Sequence, residues 1–203
     1  MHDRVLVRVS EVDWAALNLL PPAAGRLLVA TPLLGDPHFR RTVVYLLEHD
    51  GGGTVGVVLN RPSHTPVGQV LPDWHDAVSG PAVVFGGGPV QPDGALCLGL
   101  LDGRVSDEVG AKDIVDGVAT VDLDGDVAVI TPMARRLRVF AGHAGWSSGQ
   151  LEHELAEGAW WVLAGSPDDL FSEGPRTMWR DVLRRQAAPL SLLSSYPEDA
   201  TVN

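Results

Sequence analysis

Residues Phe140–Val162, FAGHAGWSSGQLEHELAEGAWWV, decide how this chain is read. Four glycines and three tryptophans in 23 residues are denser than core building requires. Glycine at Gly142, Gly145 and Gly149 offers positive-φ geometry and close backbone approach, and the helix that follows offers unpaired N-terminal amides. Upstream, LRVFAG has the composition of a strand. Downstream, a helix from about Gly149 carries Leu151, Leu155, Ala159 and Val162 at spacings of four, four and three, so one face of it is predicted to bury. The segment between Phe140 and Gln150 is therefore expected to be a loop joining strand to helix.

Working outward toward the N-terminus, GRLLVATP, TVVYLLEH and TVGVVLN each read as strands, rich in β-branched or aliphatic residues and bounded by Gly, Pro, Asp or Asn. Asp50-Gly51-Gly52-Gly53 between the second and third is a hairpin signal and predicts an antiparallel pair. After Asn60-Arg61-Pro62 a short helical or irregular piece runs through Val67, Val70 and Leu71 to Pro72. PAVVF and ALCLGLL are strands flanking a loop GGGPVQPDG, and VATVDL is another. DGDVAVITPMARR fits strand by its valines and a short helix by Asp126 as cap, and periodicity does not separate the two.

Toward the C-terminus, Ser166-Pro167-Asp168-Asp169 resembles a capping box with proline at the first helical position. A last helix from Pro175 to about Gln186 buries Met178, Trp179, Val182 and Leu183. Strands and helices mix without regular alternation, so the class is α+β, an irregular α/β with a mixed, mainly antiparallel sheet. At 203 residues the expectation is one domain, with residues 1–22 as a lead-in carrying a short helix around Trp14–Leu20.

Charge and cysteine usage narrow the function classes. A net charge of -11 repels phosphate backbones over the whole surface, so direct nucleic-acid binding is not expected without a strong local basic patch. The single cysteine, Cys97, rules out an intrachain disulfide and any CxxC motif, and its apolar surroundings predict a buried, inert thiol. No apolar run approaches the ~18–20 residues of a membrane helix, and MHDRVLVRVSEVD does not build a signal-peptide core, so a cytoplasmic location is expected.

Four segments, GRLLVATPLLGDPHFRRTVVYLLEH, GVVLNRP, FGGGPV and FAGHAGWSSGQLEHELAEGAWW, together resemble the YqgE/AlgH family of bacterial proteins, one of which gave the family its name as a regulator of alginate synthesis. The resemblance implies a bifurcated, partly barrel-like sheet surrounded by helices. It implies no established reaction, cofactor or catalytic residue. Its signature falls on Pro32, Asp36, Phe39, His49, Gly56, Asn60, Arg61, Pro62, Gly87, Gly88, Pro89, Val90, Gly142, Gly145, Trp146, Gly149, Gln150, Leu151, Glu154 and Trp160. Two positions depart from it: His143 stands where tyrosine or another residue is usual, and Ser147-Ser148 replaces a glycine-containing pair.

Several chemical readings compete with structural ones. Gly145-Trp146-Ser147-Ser148-Gly149 satisfies G-x-S-x-G, but a hydrolase of that fold needs an acid and then a histidine after the serine. The only later histidine is His153, on the same helix. Recruitment of His38, His49 or His143 remains the alternative. His153 and Glu157 read as a surface i,i+4 pair rather than a metal site, and Asp122, Asp124 and Asp126 fail the calcium-loop pattern, so no metal is expected. Gly86-Gly87-Gly88-Pro89 lacks the lysine of a phosphate loop and reads as a segment threading close to another backbone. Asn60-Arg61-Pro62 reads first as a structural clamp and second as a ligand contact. The stripe Arg176, Arg180, Arg184, joined by Arg185, is either an anion surface or a solvated face. Trp146, Trp160, Trp161 and Trp179 read as core or interface.

The expectation is a non-enzymatic regulatory or partner-binding protein without a cofactor, taking a protein partner or small ligand. Its candidate surface comprises Asn60, Arg61, Pro62, Gly87, Gly88, Pro89, Gly142, His143, Gly145, Trp146, Gly149, Gln150 and Glu154, with the three glycine or proline turns sharing one pocket. The alternatives are a small-molecule hydrolase using Ser147, or a structural homo-oligomer with tryptophans across its interface.

Overall fold

In the computed structural model, the described residues are Leu17, 20–103 and 105–197. The helix expected around Trp14–Leu20 lies outside them except for Leu17 and Leu20.

Among the described residues, ten strands form a curled, mainly antiparallel sheet. In chain order they are β1 (Leu27–Ala30), β2 (Val43–Asp50), β3 (Gly53–Val58), β4 (Pro62–Pro66), β5 (Val83–Gly86), β6 (Val90–Leu101), β7 (Ala111–Val115), β8 (Val118–Val121), β9 (Ala134–Ser147) and β10 (Trp160–Leu163). The short helices are α1 (Val67–Val70), α2 (Val127–Ile130), α3 (Gln150–Ala156), α4 (Pro167–Leu170), α5 (Met178–Arg184) and α6 (Leu190–Leu193). The sheet order is β10-β1-β2-β3-β9-β6-β8-β7, with β4 and β5 branching from it.

The branch arises because β9 is longer than any single neighbour can cover. On one edge it pairs with β6. On the other, Phe140 and Ala141 take β5 in parallel, and Ala144–Ser147 then take β3 antiparallel. Between those two stands Gly142, at φ +67. Here the segment after β5 crosses the fork: Gly87 N donates to Ala141 O at 2.8 Å and Gly87 O accepts from Val58 N at 2.8 Å. A Cβ on Gly87 would lie 2.2 Å from Gly142 O, so only glycine permits the crossing. The expectation that FGGGP threads against the glycine-tryptophan backbone is met at this contact.

β10, β1 and the first half of β2 are buried on both faces. Leu27, Val29, Tyr45, Trp161 and Leu163 pack with Leu170, Trp179, Val182 and Leu183 of α4 and α5. Their alternates Leu28, Ala30, Val44, Leu46, Trp160 and Val162 pack with Trp146 and with Leu151 of α3. Burial on both sides explains why LLVA and WWVL are unbroken apolar runs, with the period of two erased. A third cluster, with Cys97, Leu137, Val139 and Ile130, lies under α1 and α2.

The structure corrects several expectations. The glycine-tryptophan stretch is not a loop: β9 runs without interruption to Ser147. Gly145 has no positive φ, unlike Gly142 and Gly149. The helix that follows ends at Ala156 rather than continuing to Val162. Gly158 at φ +74 terminates it, with Ala159 N donating to Glu154 O and Gly158 N to Leu155 O, the paired bonds of a Schellman stop. Trp160–Leu163 then returns as β10 against β1. Part of the expected GGGPVQPDG loop belongs to β6, which begins at Val90. The ambiguous DGDVAVITP stretch is helical, with Asp126 Oδ1 accepting from Ala128 N. The capping box at Ser166 forms as predicted.

Candidate functional site

Backbone bonds bring the three predicted turns together. Arg61 O accepts from Gly86 N at 2.8 Å, and Pro62 pairs with Phe85 across β4 and β5. Gly87 and Gly88 lie directly on Gly142 and His143. The turns do not, however, enclose one shared pocket, because β9 is extended and spaces Gly142 and Gly145 about 10 Å apart along the sheet. Gly86, Gly88, Pro89 and Arg61 border a shallow cavity of about 230 Å³ with Pro37 and His38. Gly142 and His143 open instead onto a cavity of about 470 Å³ in the concave side of the sheet, with Glu48, Gln91 and Lys112. Gly145 and Trp146 border a third, beside Asp50 and Val90.

The large cavity owes its shape to a break between β6 and β9. Pairing shifts between Val90–His143 and Ala95–Ala141, so residues 91–94 bulge opposite Gly142 alone. Gln91 sits there at φ +48, a geometry uncommon for a residue with a side chain. A Cβ on Gly142 would meet Gly88 O at 2.6 Å and Val90 O at 2.9 Å. Gly142 is thus required by both the fork and the bulge.

The remaining predicted residues hold the scaffold. Glu154 Oε2 accepts from Trp146 Nε1 at 2.9 Å and from Trp160 Nε1 at 2.8 Å. Its Oε1 accepts from Gln150 Nε2 at 3.0 Å. Gln150 Oε1 in turn accepts from Ser147 N at 3.0 Å. One carboxylate therefore fastens α3 to β9 and β10, and the rings of Trp146 and Trp160 meet edge to face with centroids 5.7 Å apart. Phe39 closes the aromatic group. All four tryptophans weighed as core or interface, Trp146, Trp160, Trp161 and Trp179, are buried within the chain itself.

Ser147 Oγ bonds Gln150 Oε1 at 3.2 Å. Among the described residues, no histidine is hydrogen-bonded to it. His49 is held elsewhere, Nδ1 against Thr54 Oγ1 at 2.8 Å and Nε2 against Glu152 at 3.5 Å. Cys97 is fully buried, and burial pushes its thiol up to about 12. His153 and Glu157 form the exposed i,i+4 pair that their spacing predicted, at 3.4 Å. No group of three or more His, Cys, Asp or Glu side chains is arranged to hold a metal among the described residues.

Asn60 is the clamp its position suggested. It is 6% exposed; its Oδ1 accepts from Val43 N at 3.0 Å and its Nδ2 donates to Arg41 O at 2.8 Å. The side chain thereby replaces a strand partner at the start of β2.

The sequence and the overall fold are similar to those of known proteins. The sequence pattern described as AlgH-like matches residues 27–191. The chain belongs to the AlgH-like family. A UPF0301 protein of Mycobacterium avium is 50% identical over 196 residues, 94% of this chain and 96% of the relative. One from Streptomyces coelicolor is 48% identical over 182 residues, 88% and 94% of the two chains. Among solved structures, a Corynebacterium diphtheriae protein superposes with TM-score 0.84 at 34% identity, covering 90% of this chain and 97% of that one. The AlgH protein of Pseudomonas aeruginosa gives 0.64 at 28% identity, covering 89% and 100%. As an AlgH-like protein the chain has the bifurcated, curled sheet that the sequence resemblance implied. No helix among its described residues is long and apolar enough to cross a membrane.

What sequence reasoning missed in this AlgH-like chain is the concave cavity. Lys112, Gln91 and Glu48 come from β7, β6 and β2, and no local pattern marks them as neighbours.

Proposed function

We propose that this AlgH-like protein is a non-enzymatic, cytoplasmic binding protein with a regulatory role, taking a small ligand or a protein partner at the concave cavity beside His143. The observation that carries this reading is the cavity itself. At about 470 Å³ it falls within the roughly 300–1,000 Å³ range of small-molecule sites, and it is walled by mixed charge from Glu48, Lys112 and Asp113. The turn surface at Arg61, Gly88 and Pro89 supplies a neighbouring rim. The acidic net charge favours an indirect influence on transcription over direct contact with DNA.

The test compares capture of soluble metabolites and proteins by the immobilised full chain with capture by His143→Ala and Lys112→Ala chains. Retention of a defined molecule by the native chain, reduced tenfold or more in both variants, is the expected result. Identical retention by all three overturns the cavity assignment. Tight, sequence-selective DNA binding in a gel shift at physiological salt overturns the indirect reading.

A further inference from the structure

Gly145 is a glycine that the fold does not require. It lies inside β9, two residues before the strand ends, and its φ is not positive. Among the described residues, a Cβ built on it would meet only Val90 Cγ2, at 3.7 Å, an ordinary contact. Gly142 and Gly87 differ, since a Cβ there would lie 2.6 and 2.2 Å from backbone oxygens. Glycine inside a strand weakens it, and where the fold has no need of it the remaining use is close approach by a ligand or another backbone. No described segment of this chain makes that approach, because Gly145 is exposed.

The sheet face around Gly145 is open. Glu48, Val55 and Gly145 are register partners across β2, β3 and β9, and Val90 pairs with His143 two residues along. The opposite face carries Ala144 and Trp146, packed with Leu151 of α3. The cavities beside His143 and beside Gly145 adjoin on the open face, since Glu48 and Val55 border both. They hold about 470 and 450 Å³.

The two ends differ in charge. Beside Gly145 the lining includes Glu48 and Asp50 and no basic side chain. Beside His143 stands Lys112, with Asp113 next to it in β7. These charges are not spent on one another: among the described residues, Glu48, Asp50, Lys112 and Asp113 form no ion pair. Asp50 accepts from Gly52 N in its own turn. Between the charged ends the wall is apolar, with Val55 shared by both cavities and Leu47, Leu96 and Ile114 on the His143 side.

We propose that the adjoining cavities hold a free peptide of two or three residues, its N-terminal ammonium at Glu48 and Asp50 and its C-terminal carboxylate at Lys112 and His143. The inference deepens the cavity reading above and rests on it. Extended peptide advances about 3.4 Å per residue, so two or three residues span roughly 7–10 Å, which matches the run of β9 from Gly142 to Gly145. The bare backbone at Gly145 lets the peptide main chain lie against the strand, and the apolar wall takes its side chains. Charge-assisted bonds at both ends select a chain with two free termini, which an internal segment of a longer protein lacks. A single amino acid carries both charges but is too short to reach both ends.

The experiment titrates the full chain with the tripeptide Leu-Gly-Leu by calorimetry and thermal unfolding, against its N-acetylated form, its C-terminal amide and free leucine. Saturable one-to-one binding of the free tripeptide is expected, with Tm raised by roughly 3–6 °C at a tenfold excess over Kd. The acetylated and amidated forms and free leucine bind at least fivefold more weakly. Gly145→Val fills the approach and loses at least tenfold in affinity, while its unliganded Tm is equal to or above that of the native chain. Gly145→Ala, the smaller change, loses at least threefold with its far-UV spectrum kept. Glu48→Gln erases the discrimination against the acetylated form but keeps that against the amide, and Lys112→Gln does the reverse; general destabilisation produces neither pattern. Absence of saturable binding, equal binding of either blocked form or of free leucine, or undiminished binding in Gly145→Val each overturns the proposal. If the tripeptide does not bind while the native chain still retains a molecule that the His143→Ala and Lys112→Ala chains release, the peptide assignment falls and the cavity reading stands.

Discussion

Replacing Glu154 by alanine tests whether one carboxylate fastens α3 to the sheet. The change removes the acceptor of two indole N–H groups, on Trp146 and Trp160, which are 5% and 1% exposed. A buried donor left without a partner costs about 1–3 kcal/mol. Because Glu154 is only half-buried and water can replace part of its role, the combined loss is about 2–4 kcal/mol. For a chain of this length that lowers Tm by roughly 4–16 °C. Glu154→Gln keeps an acceptor oxygen but loses the charge, and costs about half as much. Urea unfolding followed by tryptophan fluorescence measures both, and a double-mutant cycle with Trp146→Phe isolates the bond, with an expected coupling of about 1 kcal/mol. A Glu154→Ala protein within about 0.5 kcal/mol of the native chain, or strict additivity in the cycle, refutes the reasoning.

Gly87→Ala places a methyl 2.2 Å from Gly142 O and is expected to cost more than about 3 kcal/mol in denaturant unfolding, whereas Gly35→Ala, with nothing within 4 Å, changes stability by less than about 0.5 kcal/mol. Asn60→Ala removes both clamp bonds and costs about 2–3 kcal/mol, with faster amide exchange at Val43 as its local signature. Stability is expected to fall as pH rises from 9 toward 12. The unfolded Cys97 thiol ionises near 9.0 but the folded one only near about 12, so the unfolded state alone sheds the proton in that window. Tyr45, raised from 10.0 to about 12 by burial, acts in the same direction. Arg138, lowered by burial to about 10, acts in the opposite one. Cys97→Ala should flatten the decline measured by unfolding at stepped pH, and an unchanged slope would contradict the thiol assignment.

Much of the fold was legible locally. β1, β2 and β3 announced themselves because Gly, Pro, Asp and Asn bound apolar runs of strand length. The Ser166 cap and the buried face of α5 followed from spacing alone, and both formed. The spacing of Leu151, Leu155, Ala159 and Val162 misled, since it suits a helix and a helix followed by a buried strand equally well. Gly158 decided between them, through a positive φ that spacing does not register. The candidate site was legible as three turns in contact. Its division among separate cavities was not, because that depends on β9 being extended, which spreads its residues along the sheet instead of gathering them in one turn.

By itself, then, the sequence determined what short-range chemistry controls: where chain segments start and stop, which faces are apolar, and that glycine was needed where backbones cross. Tertiary structure alone decided that β9 would serve three partners, that β10 would close against β1, and that Glu48, Lys112 and His143 from three distant strands would border one cavity. Pairing and charge convergence join residues far apart in the chain, and their free energy exists only once the backbone between them is folded.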